Sequence, residues 1–208
     1  GQTGYGTTTS VGNSSGQMAT LATINVGTGR TVKAITAGMY HSCAIRDDNK
    51  TVCWGRNNVG QLGLGISNSS WGGAINQMGD SLPPVNLGTS RVAVSVVSHY
   101  SHTCALLDNG AMKCWGDNSS GQLGIGSTTS MGTSSGSMGD NLPAVNIGTG
   151  INLSTLSTGS ANSCFLSLEY RVKCWGSAGS GALGNGTTGT SYGTSSSTMG
   201  NSLPFVGL

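Results

Sequence analysis

This chain has little charge, few aromatic residues and no long apolar run. Only 8% of its 208 residues are Asp, Glu, Lys or Arg, against about a quarter in an ordinary soluble protein. Its nine Lys and Arg are scattered, with no basic run. That argues against a nucleic-acid partner, because phosphate binding needs clustered cations. No stretch approaches the roughly eighteen apolar residues of a membrane span, so no membrane insertion is expected. No signal peptide is visible either, because Gly1 begins inside a repeated tail; the chain is expected to be a mature segment or a window on something longer. The short Cys-x2-4-Cys spacings of zinc sites are absent, and so are a nucleophile elbow, a phosphate loop and paired carboxylates. Gly184-Asn-Gly-Thr-Thr-Gly189 matches a dinucleotide-binding pattern literally, but no helix follows and the related positions at Gly63 and Gly124 lack it. No enzyme, metal or cofactor is expected.

What is present is glycine, at 36 positions, with long Ser/Thr stretches, β-branched residues and a periodic apolar pattern. Disordered chains usually lack the last two. The chain should fold.

One segment recurs three times: HSCAIRDDNKTVCWG from His41, HTCALLDNGAMKCWG from His102 and NSCFLSLEYRVKCWG from Asn162. Cys43, Cys104 and Cys164 are 61 and 60 residues apart, as are Cys53, Cys114 and Cys174. A looser tail follows each frame, from Gly60, Gly121 and Gly181, and residues 1–29 are a degraded further copy of it. The expected organisation is a partial tail over 1–29 and repeats over 30–90, 91–150 and 151–208. Periods of this size signal a solenoid, propeller or array. Each unit is too small to bury its own apolar face and must stack on a neighbour.

The turn of each frame points to a hairpin. In the second copy Asp108-Asn109-Gly110 separates two apolar strands, and Gly110 suits the left-handed position of a three-residue loop. Pairing Leu107 with Ala111 then sets Cys104 opposite Cys114 at a non-hydrogen-bonded site, close enough for a disulfide. The same count pairs Cys43 with Cys53 and Cys164 with Cys174. The alternatives are free buried thiols or a Cys/His metal site. Disulfides would place the chain in an oxidising, extracellular-type compartment. Asn49 is the next-best residue for the left-handed position; Tyr170 is a poor one, and its turn is expected to deviate. Arg91–Val97 reads as a further strand, and the Leu-Pro-x-Val element near Leu82, Leu142 and Leu203 as a fourth, short one. The Gly/Ser/Thr stretches between them read as loops too polar and flexible for helix. The fold class is all-β, in tandem four-stranded antiparallel units.

The run Gly38, His41, Ala44, Trp54, Gly55, Asn57, Gly60, Gln61, Leu62, Gly63 resembles the regulator of chromosome condensation repeat family. A second match runs through His102, Ala105, Leu106, Trp115, Gly116, Asn118, Gly121, Gln122, Leu123 and Gly124. The third copy is weaker, with Asn162, Ser177-Ala178 and Ala182 at variant positions. The resemblance implies four-stranded propeller blades, here in a secreted, disulfide-bearing variant with extended Ser/Thr/Gly loops. Three copies and a spare tail suggest a partial ring, an open array, or association with further repeats or further chains.

Six Asn-x-Ser/Thr sequons, at Asn13, Asn49, Asn68, Asn118, Asn152 and Asn185, are candidates for covalent glycans, which would offset the low surface charge. His41 and His102 share a repeat position and are expected to fix the blade by hydrogen bonds. Trp54, Trp115 and Trp175 are expected to pack the blades. Trp71, outside the frame, is the candidate for contact with a partner protein. The leading functional expectation is a non-enzymatic extracellular structural or adhesive repeat protein, part of a surface assembly or filament. The alternative is a secreted propeller that binds another protein through its loop face.

Overall fold

Each Cys-x9-Cys frame becomes a hairpin, and one upstream strand pairs with it. The computed structural model describes residues 1–207. The first sheet contains β1 (Val32–Ala37), β2 (His41–Arg46) and β3 (Thr51–Gly55). The second contains β4 (Ala93–His99), β5 (His102–Leu107) and β6 (Met112–Gly116), and the third β7 (Leu153–Thr158), β8 (Asn162–Ser167) and β9 (Val172–Gly176). All three are antiparallel with strands in sequence order. Each first strand is irregular at the same place, between Val32 and Ala34, Ala93 and Ser95, Leu153 and Thr155. We call each sheet with the tail that follows it a blade.

Tyr170 corrects one expectation. It takes φ 60°, beside 64° at Asn49 and 80° at Gly110, and its N–H donates to Ser167 O at 3.1 Å as Gly110 N–H does to Leu107 O at 3.0 Å. The turn does not deviate. A left-handed tyrosine costs roughly 1–2 kcal/mol; the flanking ladder outweighs this, and the ring stands in solvent.

The fourth strand is also corrected. Its place beside β3 and β6 is held by isolated bridges, Val52 to Pro84 and Lys113 to Ala144. In every blade a single backbone bond anchors the element: Val85 N–H to Thr51 O, Val145 N–H to Met112 O and Val206 N–H to Val172 O. The next N–H on that side belongs to Pro83, Pro143 or Pro204, and proline has none to give. The blades are three-stranded with a one-bond edge.

Stacking builds the core between blades. Cys43, Ile45 and Cys53 of the first blade meet Val96, Ala105 and Trp115 of the second. Cys104, Leu106 and Cys114 of the second meet Leu156, Phe165 and Trp175 of the third in the same way. The tails are not flexible loops. Leu62, Met78, Leu82, Val85 and Leu87 of the first tail are all buried, and single 3-10 turns such as Ile75–Gln77 and Gly79–Ser81 shape it. No α-helix occurs among the described residues.

Candidate interaction surface

Every blade is held by the start of the tail before it. Trp54, Trp115 and Trp175 donate their Nε1–H to Gln2 O, Gln61 O and Gln122 O at 3.1, 3.1 and 3.0 Å. Ser42, Thr103 and Ser163 donate to the same three carbonyls at 3.3, 3.2 and 2.8 Å. Because a hydroxyl has one proton, Thr103 and Ser163 then accept from the histidine of the blade before. His41 Nε2 lies 2.9 Å from Thr103 Oγ1, and His102 Nε2 lies 3.0 Å from Ser163 Oγ. The histidines therefore join blades rather than brace their own. Burial pushes both imidazoles down to about 4, and each Nδ1 is enclosed without a partner. A second proton there would be a buried, unpaired donor.

Tails also clasp each other. Asp80 accepts from Thr28 N–H and Oγ1 at 2.8 and 2.6 Å, and Asp140 from Thr89 N–H and Oγ1 at 2.8 and 2.6 Å. These donors hold both carboxyls below their ordinary range. In the third blade Asn201 replaces the aspartate and accepts from Thr149 N–H at 3.0 Å. A buried cation ends each preceding tail: Arg46 donates to Val26 O at 3.0 Å, Lys113 to Leu87 O at 2.9 Å and Lys173 to Ile147 O at 3.2 Å. Sequence reasoning missed this clasp. Its signal was a Gly-Thr pair recurring about 50 residues before each Met-Gly-Asp/Asn.

The end faces of the stack differ from its interior. On β5 every side chain is buried, whereas on β8 Asn162, Cys164 and Leu166 are half-exposed. Around them Cys164, Leu166 and Val172 help line an apolar hollow of about 150 Å³. At the opposite end Ile35 is 63% exposed, although Val96 and Leu156, at the same register beside β5 and β8, are 5% and 6% exposed. The third blade thus leaves open the half of the interface that Cys43 and Ile45 form in the first, whereas of the first blade's other half only Ile35 is open, Ala44, Val52 and Trp54 being buried beside the N-terminal tail.

The cysteines are joined as Cys43–Cys53, Cys104–Cys114 and Cys164–Cys174, each with Cα atoms 4.1 Å apart. Of the sequon asparagines, Asn13, Asn49, Asn68 and Asn152 are exposed, and Asn49 accepts from Lys33 Nζ at 2.6 Å. Asn185 is half-buried with its Nδ2 enclosed. Asn118 is a correction: it is fully buried, and its Nδ2 donates to Ser127 O and Thr129 O at 2.8 and 3.0 Å. No glycan fits on that nitrogen in the folded chain. Trp71 is not outside the repeat. It pairs with Gly55 as Met131 does with Gly116 and Tyr192 with Gly176. Its half-buried ring lines a groove of about 350 Å³ with Ile66, Pro83 and Pro84. Among the described residues no group of His, Cys, Asp and Glu could hold a metal ion, and no helix is long and apolar enough to cross a membrane.

The repeat frame has recognisable relatives. Residues 32–61 and 93–122 match one model of the regulator of chromosome condensation (RCC1) repeat, and residues 52–106 match another. A bifunctional serine/threonine-protein kinase/NEDD4-like E3 ubiquitin-protein ligase of Dictyostelium discoideum is 34% identical over 97 residues, 44% of this chain and 5% of that protein. The probable E3 ubiquitin-protein ligase HERC6 of Homo sapiens is 31% identical over 161 residues, 74% of this chain and 14% of that one. This chain thus spans a small part of those relatives. Among solved structures, yeast RCC1 (Prp20) bound to Kap60 superposes with a TM-score of 0.58 at 21% identity, over 78% of this chain and 36% of that chain. Human WBSCR16 gives 0.59 at 21% identity over the same shares. Residues 32–122 of this chain thus carry RCC1 repeats, and the third blade repeats their disulfide-bonded pattern.

Proposed function

We propose that this chain is a non-catalytic protein-binding scaffold of an extracellular or cell-surface compartment, structural or adhesive in role and part of a larger assembly. The observation that carries this reading is the pair of end faces. Ile35 lies open at one end, Leu166 and Val172 at the other, and each matches a surface that a neighbouring blade covers inside the stack. A blade of another copy, or of further repeats, fits either face by the contacts already used between blades. Because the faces differ, the contact is head-to-tail; it makes rings where the rotation closes and filaments where it does not.

The compartment is supported by three hairpin disulfides with no free cysteine among the described residues, since such bonds persist where the surroundings oxidise. Exposed sequons at Asn13, Asn49, Asn68 and Asn152 suit glycans that keep a weakly charged surface solvated. Yeast Prp20, solved with Kap60 bound, is a precedent for a protein partner. A non-catalytic role is supported by how the polar groups are used: the histidines are enclosed at blade junctions and Asp80 and Asp140 are occupied by threonines.

Sedimentation velocity over a range of concentrations tests the assembly. Association is expected, and Leu166→Asp or Ile35→Asp should each abolish it. A monomer at every concentration overturns self-assembly. Intact mass before and after enzymatic deglycosylation of the natively produced protein tests the sugar, and an unchanged mass removes it.

A further inference from the structure

The third blade differs from the other two around its tail clasp. Blade 1 gathers Arg30 and Arg46 there with Asp47, Asp48 and Asp80. Blade 2 has Arg91 and Lys113 with Asp108 and Asp140. In blade 3 the ion-paired positions of Arg91 and Asp108 have become Ile151 and Leu168, and Asp140 has become Asn201. What is left is Arg171 and Lys173 with Glu169 as the one carboxylate. Burial lowers the pKa of both lysines; Asp140 counters this at Lys113, whereas Arg171 adds to it at Lys173. One anion is missing.

A cavity of about 290 Å³ lies at the same place, lined by Thr149, Ile151, Glu169, Arg171, Lys173 and Phe205 among others. The Arg171 guanidinium stacks on Phe205, 3.4 Å from the ring centroid, where the sister blades have Pro84 and Ala144. Stacking uses one face of the guanidinium and leaves its in-plane N–H fork for a planar carboxylate. Among the described residues nothing accepts from that fork, and no carboxylate lies within ion-pair distance of Arg171. Lys173 is buried: its Nζ gives two of its three donors to Ile147 O and Gly200 O at 3.2 and 2.8 Å and lies 4.7 Å from the Phe205 ring centroid, so it adds its charge to the cavity from behind.

We propose that this pocket of the third blade binds an acidic sugar, with the carboxylate held by the exposed fork of Arg171 and attracted by the buried charge of Lys173 behind it, where a sister blade supplies its own Asp140. Glu169 selects within the class. As an acceptor beside the cations it repels a second carboxylate but takes hydrogen bonds from hydroxyls, so one carboxylate on a polyhydroxylated frame fits better than an acidic peptide. Asn201 and Thr149 add polar contacts, and Ile151 meets the apolar face of a sugar ring. Lectin-like binding of this kind does not depend on the self-assembly reading.

The test is calorimetric titration of the full chain with glucuronate, with glucose and tetraglutamate alongside. Glucuronate is expected to bind and glucose not, with affinity falling at least tenfold in Arg171→Gln. Asn201→Asp supplies the missing carboxylate from within, as Asp140 does in blade 2, and should abolish binding while the circular dichroism spectrum stays unchanged. Absence of glucuronate binding overturns the proposal, as does binding that survives both substitutions. Tighter binding of tetraglutamate than of glucuronate overturns it in favour of an acidic peptide.

Discussion

Blades 2 and 3 are the same hairpin in two settings. Blade 2 has a neighbour on each side, so β5 is buried on both faces; blade 3 has one, and β8 alternates between buried and half-exposed. The frame survives the change: the register of Cys104 with Cys114 equals that of Cys164 with Cys174. What changes is what the outward-looking side chains meet, and in places the residue itself. His102 reaches Ser163 of the next blade, whereas at Asn162 no further blade lies alongside among the described residues. Asp140 accompanies Lys113, and Asn201 leaves Lys173 with Arg171. The local ladder sets the shape of a blade, and its neighbours set the work of its side chains.

The largest expected break in the comparison comes from acid. His41 and His102 titrate at about 4 in the fold against 6.5 ordinarily. Above 6.5 both folded and unfolded chains hold neutral imidazoles. Below it the unfolded chain takes up protons that the folded chain refuses until about pH 4, so stability falls with pH across that window, by roughly 3 kcal/mol for each histidine. Urea unfolding at several pH values measures the slope. His41→Asn with His102→Asn copies the third blade and should flatten it; a slope unchanged by both would show that other groups carry it.

Next in size is the disulfide contrast. Replacing Cys104 and Cys114 by Ala removes a hairpin cross-link and opens space in the core between blades, costing about 4 kcal/mol. The same change at Cys164, which is half-exposed, and Cys174 should cost about 2 kcal/mol, since less cavity forms. Equal losses in the two urea midpoints would mean that neighbour packing adds nothing to the bond.

Smaller still is the turn. Tyr170→Gly should stabilise by about 1 kcal/mol by removing the left-handed strain, and Gly110→Tyr should lose a similar amount. The smallest effect belongs to Asp140→Asn, which copies Asn201. It should lower the melting temperature slightly at low salt and less at high salt, because the clasp is solvent-exposed and screened. If Asp140→Asn also created a glucuronate site in blade 2, the Arg171–Phe205 stack would be unnecessary to binding.

Much of the hairpin was legible because its contacts are short in sequence. The left-handed Gly110 and the even count outward from it placed Cys104 opposite Cys114 without reference to the rest of the chain. The repeated prolines were legible too, yet their consequence was missed: Pro83, Pro143 and Pro204 remove the donor that would continue a fourth strand. Tyr170 misled because propensity weighs a residue alone, while the strands beside it decide the turn. Trp71 misled because its relatives Met131 and Tyr192 share a ladder position without sharing chemistry. Asn118 matched a sequon but serves as a hub for Ser127, Thr129 and Leu123, which no tripeptide pattern reveals.

By itself the sequence determined the all-β class, the three near-equal periods, the hairpins and the resemblance to RCC1 repeats, since these rest on residues within about ten positions of one another or on plain repetition. Tertiary structure alone decided that His41 serves Thr103, that Thr28 is held by Asp80, and that the third blade keeps a cationic pocket. The first two pairings join residues 62 and 52 positions apart. Their partners are chosen by how one twisted sheet lies on the next, a geometry that no single repeat contains.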